Sequence, residues 1–298
     1  MTKEPFHEPV LTAEVLDYLA PGRGGVFVDC TVGLGGHARA LLQAGASRLI
    51  GCDRDSDALA VAADRLAPWR DRVELVHADY RDLEAVLDAR GVDAVDGVLA
   101  DLGVSSLQFE GAGRGFSFQR DEPLDMRMDR SGGDTVADRL RDVEESELAD
   151  VIFQYGEERF SRRIARAIVD ARRRAPIDTT GELAAIVRRA VPRRGFTRID
   201  PATRTFQALR IWVNGELDGL DRFLEAAARR LRTGARLAVI SFHSLEDRIV
   251  KHTFRALERH GTAGVRVLTK KPVTPGDEEV AANPRARSAK LRAIERPD

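Results

Sequence analysis

Cysteine is nearly missing from this sequence, net charge is close to nil, and no long apolar run occurs. The 298 residues include two cysteines, Cys30 and Cys52. Neither belongs to a Cys-x-x-Cys or a Cys/His cluster, which excludes a zinc ribbon and a disulfide scaffold. The plain reading of both is small buried core residues. Lys and Arg number 47 and Asp and Glu 48, for a net charge of −1. There is no overall pull on a polyanion, and only a local cluster of charge can bind one. No stretch approaches the roughly 20 apolar residues of a membrane span. Residues 1–7 lack the apolar core of a signal peptide. No membrane partner and a cytoplasmic location are the expectations. Hydrophobic residues make up 43% of the chain, and with so small a net charge wholesale disorder is excluded.

What is present is an alternation of short apolar strands with helical patterns. Val26-Phe27-Val28 reads as a buried strand ending at Asp29. Residues 48–52 form a second, ending at Asp53. Residues 73–76 form a third, with Asp79-Tyr80 just past its end, and 95–100 a fourth, ending at Asp101. Residues 109–208 contain no convincing buried strand. They carry helical patterns at 144–154, 157–174 and 181–190, broken by Pro176, Pro192 and Pro201. The strand pattern resumes at 237–242, and two last strands are expected at 264–268 and 289–294. The predicted fold is α/β, a Rossmann-like doubly wound sheet. It spans 1–108 and 209–298, with a helical domain of residues 109–208 inserted in it.

The turn after the first strand, Gly33-Leu34-Gly35-Gly36-His37-Ala38, has the glycines that let a backbone approach a ligand closely. The helix it opens presents free N–H groups. Asp53 follows Gly33 at about the distance where an acid grips the ribose of an adenosine cofactor. Gly33-x-Gly35-x-x-Ala38 also fits the loose dinucleotide fingerprint, so NAD and S-adenosylmethionine both have to be weighed. Asp29 favours the second: a carboxylate beside the turn suits an amino-acid ammonium and repels a pyrophosphate. Asp79-Tyr80 and Asp101 extend the polar row along the strand ends. The plainer reading is an ordinary tight turn with satisfied acids.

Several stretches taken together resemble one family. They are His7-Glu8-Pro9-Val10-Leu11, Gly33-Leu34-Gly35-Gly36-His37, Asp101-Leu102-Gly103-Val104-Ser105-Ser106-Leu107-Gln108, Arg114-Gly115-Phe116-Ser117-Phe118 and Leu124-Asp125-Met126-Arg127-Met128-Asp129. Further on come Thr205-Phe206-Gln207, Asn214-Gly215-Glu216-Leu217, Ser241-Phe242-His243-Ser244 and Asn283-Pro284-Arg285-Ala286-Arg287-Ser288-Ala289-Lys290-Leu291-Arg292. The ordered set is similar to the bacterial small-subunit (16S) ribosomal RNA cytosine-N4 methyltransferase H family (RsmH/MraW). The resemblance implies a class I S-adenosylmethionine (SAM)-dependent methyltransferase domain with an inserted helical domain. It implies methyl transfer to the exocyclic N4 of a cytidine in the decoding region of 16S ribosomal RNA, within the small ribosomal subunit. Gly35, Gly36, His37, Asp53, Tyr80, Asp101 and Gln108 would contact SAM, with Asp53 on the ribose and Tyr80 beside the adenine. No metal is expected, and a homodimer is left open. Ala38 stands where the family usually has Ser or Thr, and Tyr80 where it often has Phe.

Candidate catalytic residues are Asp101 and His243. Asp101 ends the fourth strand, where many amino-methyltransferases carry a Pro-Pro-aromatic motif. Here Leu102-Gly103-Val104 follows instead, which puts a backbone-carbonyl and stacking arrangement in doubt. For His243 a structural hydrogen bond is the plainer reading. His7 is a candidate to close over the site. Asn214 either orients a ligand or caps a turn. Arg114, Phe116, Arg127, Arg285, Arg287, Lys290 and Arg292 are candidate RNA contacts, since clustered cations supply phosphate affinity. Arginines at 159–174 and 188–210 form further basic stretches, against which stands a merely solvated helix face. Phe116, Phe118 and Phe206 are candidates to stack on an extruded base, or else helical-domain core. Three rivals stay open: a SAM methyltransferase of another RNA or of DNA, a non-catalytic ribosome-assembly factor that keeps SAM as a structural ligand, and an NAD oxidoreductase.

Overall fold

A sheet covered on both faces needs strands that are apolar on both sides, and this chain supplies them. A computed structural model describes residues 9–192, 200–261 and 263–297. Seven strands form one sheet in the order β3-β2-β1-β4-β5-β7-β6. They are β1 (Val26–Asp29), β2 (Arg48–Asp53), β3 (Val73–His77), β4 (Val95–Asp101), β5 (Leu231–Ser241), β6 (Arg266–Val267) and β7 (Lys290–Glu295). The first five run parallel, and β7 lies antiparallel to both β5 and β6. Alternate residues point to opposite faces. Val28, Val98 and Val239 enter one core with Phe223, Leu224 and Phe254. Phe27, Leu99 and Ile240 enter the other with Val15, Leu41 and Leu42.

Helices flank the sheet: α1 (Thr12–Leu19), α2 (Gly36–Gln43), α3 (Ser56–Leu66) and α4 (Leu83–Asp88) come before the interruption. The chain divides into two compact units, 1–105 with 217–298, and 106–216. The second contains α5 (Ser106–Glu110), α6 (Val136–Asp142), α7 (Glu145–Gly156), α8 (Ser161–Arg172), α9 (Thr180–Ala190) and α10 (Ala202–Asn214). Its own core includes Leu124, Ile152, Ile164, Ile168, Leu183, Val187 and Leu209. Thr135 and Thr179 start α6 and α9 with capping boxes, closed by Asp138 and Glu182. After the interruption come α11 (Leu220–Arg229), α12 (Ser244–His260) and α13 (Asp277–Ala282).

Two boundaries depart from the sequence reading. β5 begins at Leu231, six residues before the apolar run, because Leu231 pairs with Val95 and Arg236 with Gly97 and Glu295. The Gly234 N–H donates to the Arg296 carbonyl at 2.6 Å, and Arg236 Nε reaches Glu295 at 3.0 Å. In the helical unit, α10 continues to Asn214 as one helix, so that unit ends at Glu216.

The crossing of α7 and α10 depends on Gly156. A Cβ there would lie 2.6 Å from the Arg204 carbonyl oxygen. Gly156→Ala is therefore expected to lower stability by roughly 1–3 kcal/mol, as overpacking does. Denaturant unfolding reads it as a lower midpoint; an unchanged midpoint would show that the two helices have slack.

Candidate active site

Strand order reverses at β1, whose neighbours are β2 and β4. Such a reversal opens a crevice at the carboxyl ends of the strands, where α/β sheets bind ligands. The chain leaves β1 at Asp29 and turns into α2 through Gly33 and Gly35, whose φ angles are 50° and 80°. These are left-handed values that a side chain disfavours. Asp53, at the end of β2, pins this turn. Its Oδ2 accepts the Gly33 N–H at 2.7 Å and its Oδ1 the Asp55 N–H at 2.9 Å.

Thr31 joins the two central strands. Its hydroxyl oxygen accepts the Asp101 N–H at 2.6 Å, and its own N–H donates to Asp29 Oδ1 at 3.2 Å. His37, on the first turn of α2, lies with its Nε2 3.5 Å from Asp101 Oδ2. Asp29 Oδ2, Asp101 Oδ1 and both ring nitrogens of His37 are buried without a hydrogen-bond partner. Burial pushes the Asp29 carboxyl up to about 7, helped by the charges of Asp101 and Asp53 and opposed by His37 and the Thr31 N–H. Burial alone would lower the His37 ring; the surrounding carboxylates of Asp101, Asp29 and Glu279 outweigh it and raise it. Burial also raises Asp53, against the N–H groups of Asp55 and Gly33.

The sequence therefore located this edge, and the structure brings Gly35, Gly36, His37, Asp53 and Asp101 to it. Tyr80 follows β3, buried against Phe223 with ring centroids 4.9 Å apart. Asp79 beside it accepts from Arg54 and Arg81, 3.1 and 2.8 Å away. Gln108 is buried on α5, in the helical unit. Thr31 escaped the sequence reading; its place two residues past a strand-end acid was the available signal.

His243 is the N-cap of α12. Its Nδ1 accepts the Glu246 N–H at 3.4 Å, while Glu246 Oε2 accepts the His243 N–H at 3.3 Å. The ring's Nε2 faces Glu246 Oε1 at 3.2 Å. The structure thus gives this histidine a structural task.

Of the candidate RNA contacts, three are buried and a fourth, Arg127, is half-buried and bonded within the protein. Arg114 is buried and donates to the carbonyls of Arg127 and Met128 at 3.3 and 3.0 Å. Phe116 is buried. Arg127 forks onto Asp125 at 2.7 and 3.0 Å and also reaches the Gly132 and Gly133 carbonyls. Arg292 is buried and forks onto Asp247 at 2.7 and 3.3 Å. A guanidinium committed in this way is not offered to phosphate. Arg285 and Lys290 are half-buried and Arg287 is exposed. Phe206 is buried in the helical core, with Phe118 edge-on to it at 4.8 Å. Asn214 clamps a loop, accepting the Met128 N–H at 2.8 Å and donating to the Met126 carbonyl at 2.7 Å. His7, Arg193, Arg194 and Arg198 lie outside the described residues.

The strand order, the antiparallel β7, the glycine turn after β1 and the acid closing β2 define a class I SAM-dependent methyltransferase. The chain belongs to the MraW methylase family, whose model matches residues 4–297. It is 51% identical over 306 residues to a ribosomal RNA small subunit methyltransferase H of Geotalea uraniireducens, covering 97% of this chain and 98% of that one. It is 54% identical over 290 residues to the protein of that name from Sorangium cellulosum, covering 97% and 90%. The residues at the edge fit the cofactor: unpartnered carboxylate oxygens suit an ammonium, and the His37 ring suits a carboxylate. No helix among the described residues is long and apolar enough to cross a membrane.

Asp29 generates a prediction about pH. A carboxyl whose folded value lies above its ordinary value contributes stability at low pH and loses it as pH rises through the folded value. Between pH 5 and pH 8 the ligand-free protein is expected to lose on the order of 3 kcal/mol more stability than Asp29→Asn. Unfolding midpoints at the two pH values test this, and equal losses in both proteins would refute it.

Proposed function

We propose that this protein transfers the methyl group of SAM to the exocyclic N4 of a cytidine in the decoding region of 16S ribosomal RNA. One observation carries the reading: the family match from residue 4 to residue 297, with relatives named for small-subunit ribosomal RNA at more than half identity. The substrate proposed is the assembled small subunit, in the cytoplasm, since the motifs are spread over a long chain and suit a shaped surface.

When bound, the cofactor supplies an electrophilic methyl on a sulfonium. The chain's own residues do the rest. Gly35, Gly36 and His37 present the turn. Asp53 keeps a lone pair on each oxygen for ribose hydroxyls beyond its two backbone bonds. Tyr80 flanks the adenine, and Gln108 adds the further contact that the family implies. Asp29 takes the amino-acid ammonium. The N4 lone pair of cytosine is delocalised into the ring, so the amine has to be held in line with the methyl. Asp101 Oδ1 accepts an N–H of that amine and stabilises the charge developing on nitrogen. His243 contributes by fixing the start of α12. Arg285, Arg287 and Lys290 bind phosphate, and the target base leaves its stack to reach the edge.

The deciding experiment is transfer of labelled methyl from SAM to unmethylated small subunits, with naked 16S ribosomal RNA alongside, followed by nucleoside mass analysis. N4-methylated cytidine is expected, with the subunit the better substrate. Measured SAM binding with transfer to neither would refute the reading in favour of another nucleic acid or a non-catalytic assembly factor. Sedimentation of the same preparation reads the homodimer.

Asp101→Asn in that assay is expected to lower turnover by about 100-fold. Near-normal turnover and SAM affinity in this variant would remove Asp101 from the mechanism.

A further inference from the structure

Two segments from opposite ends of the sequence meet over the glycine turn. Residues 9–11 come in just before α1. The Pro9 ring lies so close to Gly36 that a Cβ there would be 3.1 Å from Pro9 Cγ. Thr12 Oγ1 donates to the Pro9 carbonyl at 2.7 Å, which fixes the ring's approach. Leu11 is fully buried and has φ 55° and ψ 36°. That left-handed conformation is unfavourable for a leucine and persists only when its surroundings impose it.

The imposing partner is Glu279 on α13. Its Oε1 accepts the Leu11 N–H at 2.7 Å, across 268 residues of sequence. The charge of the same carboxylate adds to those of Asp101 and Asp29 in raising the His37 ring against its burial. One side chain thus fastens the strained residue of the segment that lies on Gly36. The hydrogen bond also ties residues 9–11, which lie on the glycine turn, to the helix that leads into 283–292.

We infer that Glu279 is a positioning residue for the cofactor turn, fastening residues 9–11 across Gly36 beside His37; the inference rests on the cofactor reading given above. Without that carboxylate the Leu11 N–H loses its acceptor, the left-handed residue relaxes and Pro9 is released from Gly36. The turn is then less well ordered for the cofactor, while Asp101 at the end of β4 is untouched. The consequence falls on cofactor affinity and spares the chemical step.

The test titrates S-adenosylhomocysteine into the full-length wild type and into Glu279→Ala, Glu279→Gln and Glu278→Ala by calorimetry. Steady-state methyl transfer to small subunits and melting temperatures accompany it. Glu279→Ala is expected to weaken binding and raise the KM for SAM by about fivefold, the scale of one lost hydrogen bond, with kcat unchanged. Glu279→Gln keeps the accepting oxygen and is expected to recover most of the affinity. Glu278→Ala, at an exposed neighbour, is expected to match the wild type. Wild-type affinity and KM in Glu279→Ala would overturn the inference, as would a fall in kcat and melting temperature with KM unchanged. Failure of the wild type itself to bind would instead overturn the cofactor reading.

Discussion

Two carboxylates held side by side at the ends of β1 and β4 set the terms for the rest of this structure. Asp29 is buried, and Thr31 ties its strand end directly to the backbone of Asp101. Removing a carboxylate from water costs several kcal/mol unless charge or hydrogen bonds compensate. The compensation here is partial: one Thr31 N–H, and the ring of His37 near Asp101. One oxygen of each carboxylate is left without a partner. A fold that keeps such a pair is built to receive something cationic. The function proposed above divides that demand, setting the ammonium of SAM against Asp29 and the target amine against Asp101.

The surrounding architecture makes that pair rigid. β1 and β4 are adjacent and in register, Val28 opposite Val98 and Asp29 opposite Leu99. Their side chains alternate into two separate cores, so a slip of either strand by one residue would send every side chain into the core packed for its neighbours. Asp53 applies the same logic to the turn. It satisfies the backbone N–H of Gly33, which could otherwise not be buried at a bend of that curvature. Position, and not the identity of the acid alone, therefore distinguishes the three. Asp53 shapes the turn, Asp29 carries an unmet charge beside it, and Asp101 presents one from the next strand.

Much of this was legible in the sequence because the parallel strands are short apolar runs with acids at their ends. The glycine turn, Asp29, Asp53 and Asp101 follow from that pattern alone. The legible part stops where long-range pairing decides. The first half of β5 carries arginines and a glycine, and it becomes a strand because β4 on one side and β7 with the residue after it on the other supply partners. Glu279 reads as one acid among three at the start of α13, and nothing local distinguishes it from Glu278. Its partner is a backbone N–H at the far end of the chain. His243 shows the same limit from the other side. A histidine after a strand near a ligand edge has the signature of a catalytic base. The Glu246 three residues on was the sign of a capping box.

The arginines demand the most revision, for a physical reason. A guanidinium has five donors in a planar fork and satisfies several carbonyls or a whole carboxylate at once. This chain uses that property internally. Arg114 and Arg127 hold the loop that Asn214 clamps, with Met126 in a left-handed conformation at its centre. Arg210 forks onto Glu216 at 2.8 and 2.7 Å, and Arg292 onto Asp247. Arg114, Arg127 and Arg292 stand in the motifs named above, and all four are engaged within the protein. A motif arginine in this family is thus no guide to phosphate contact until its donors are accounted for. The proposed RNA contacts that remain lie around the start of β7, where Arg287 is exposed, Arg285 is half-buried and Lys290 is half-buried 3.6 Å from Asp247. That segment is continuous with α13, and so with the carboxylate that fastens Leu11. The part of the chain available to nucleic acid and the part that secures the cofactor turn are consecutive stretches of one connection between β6 and β7.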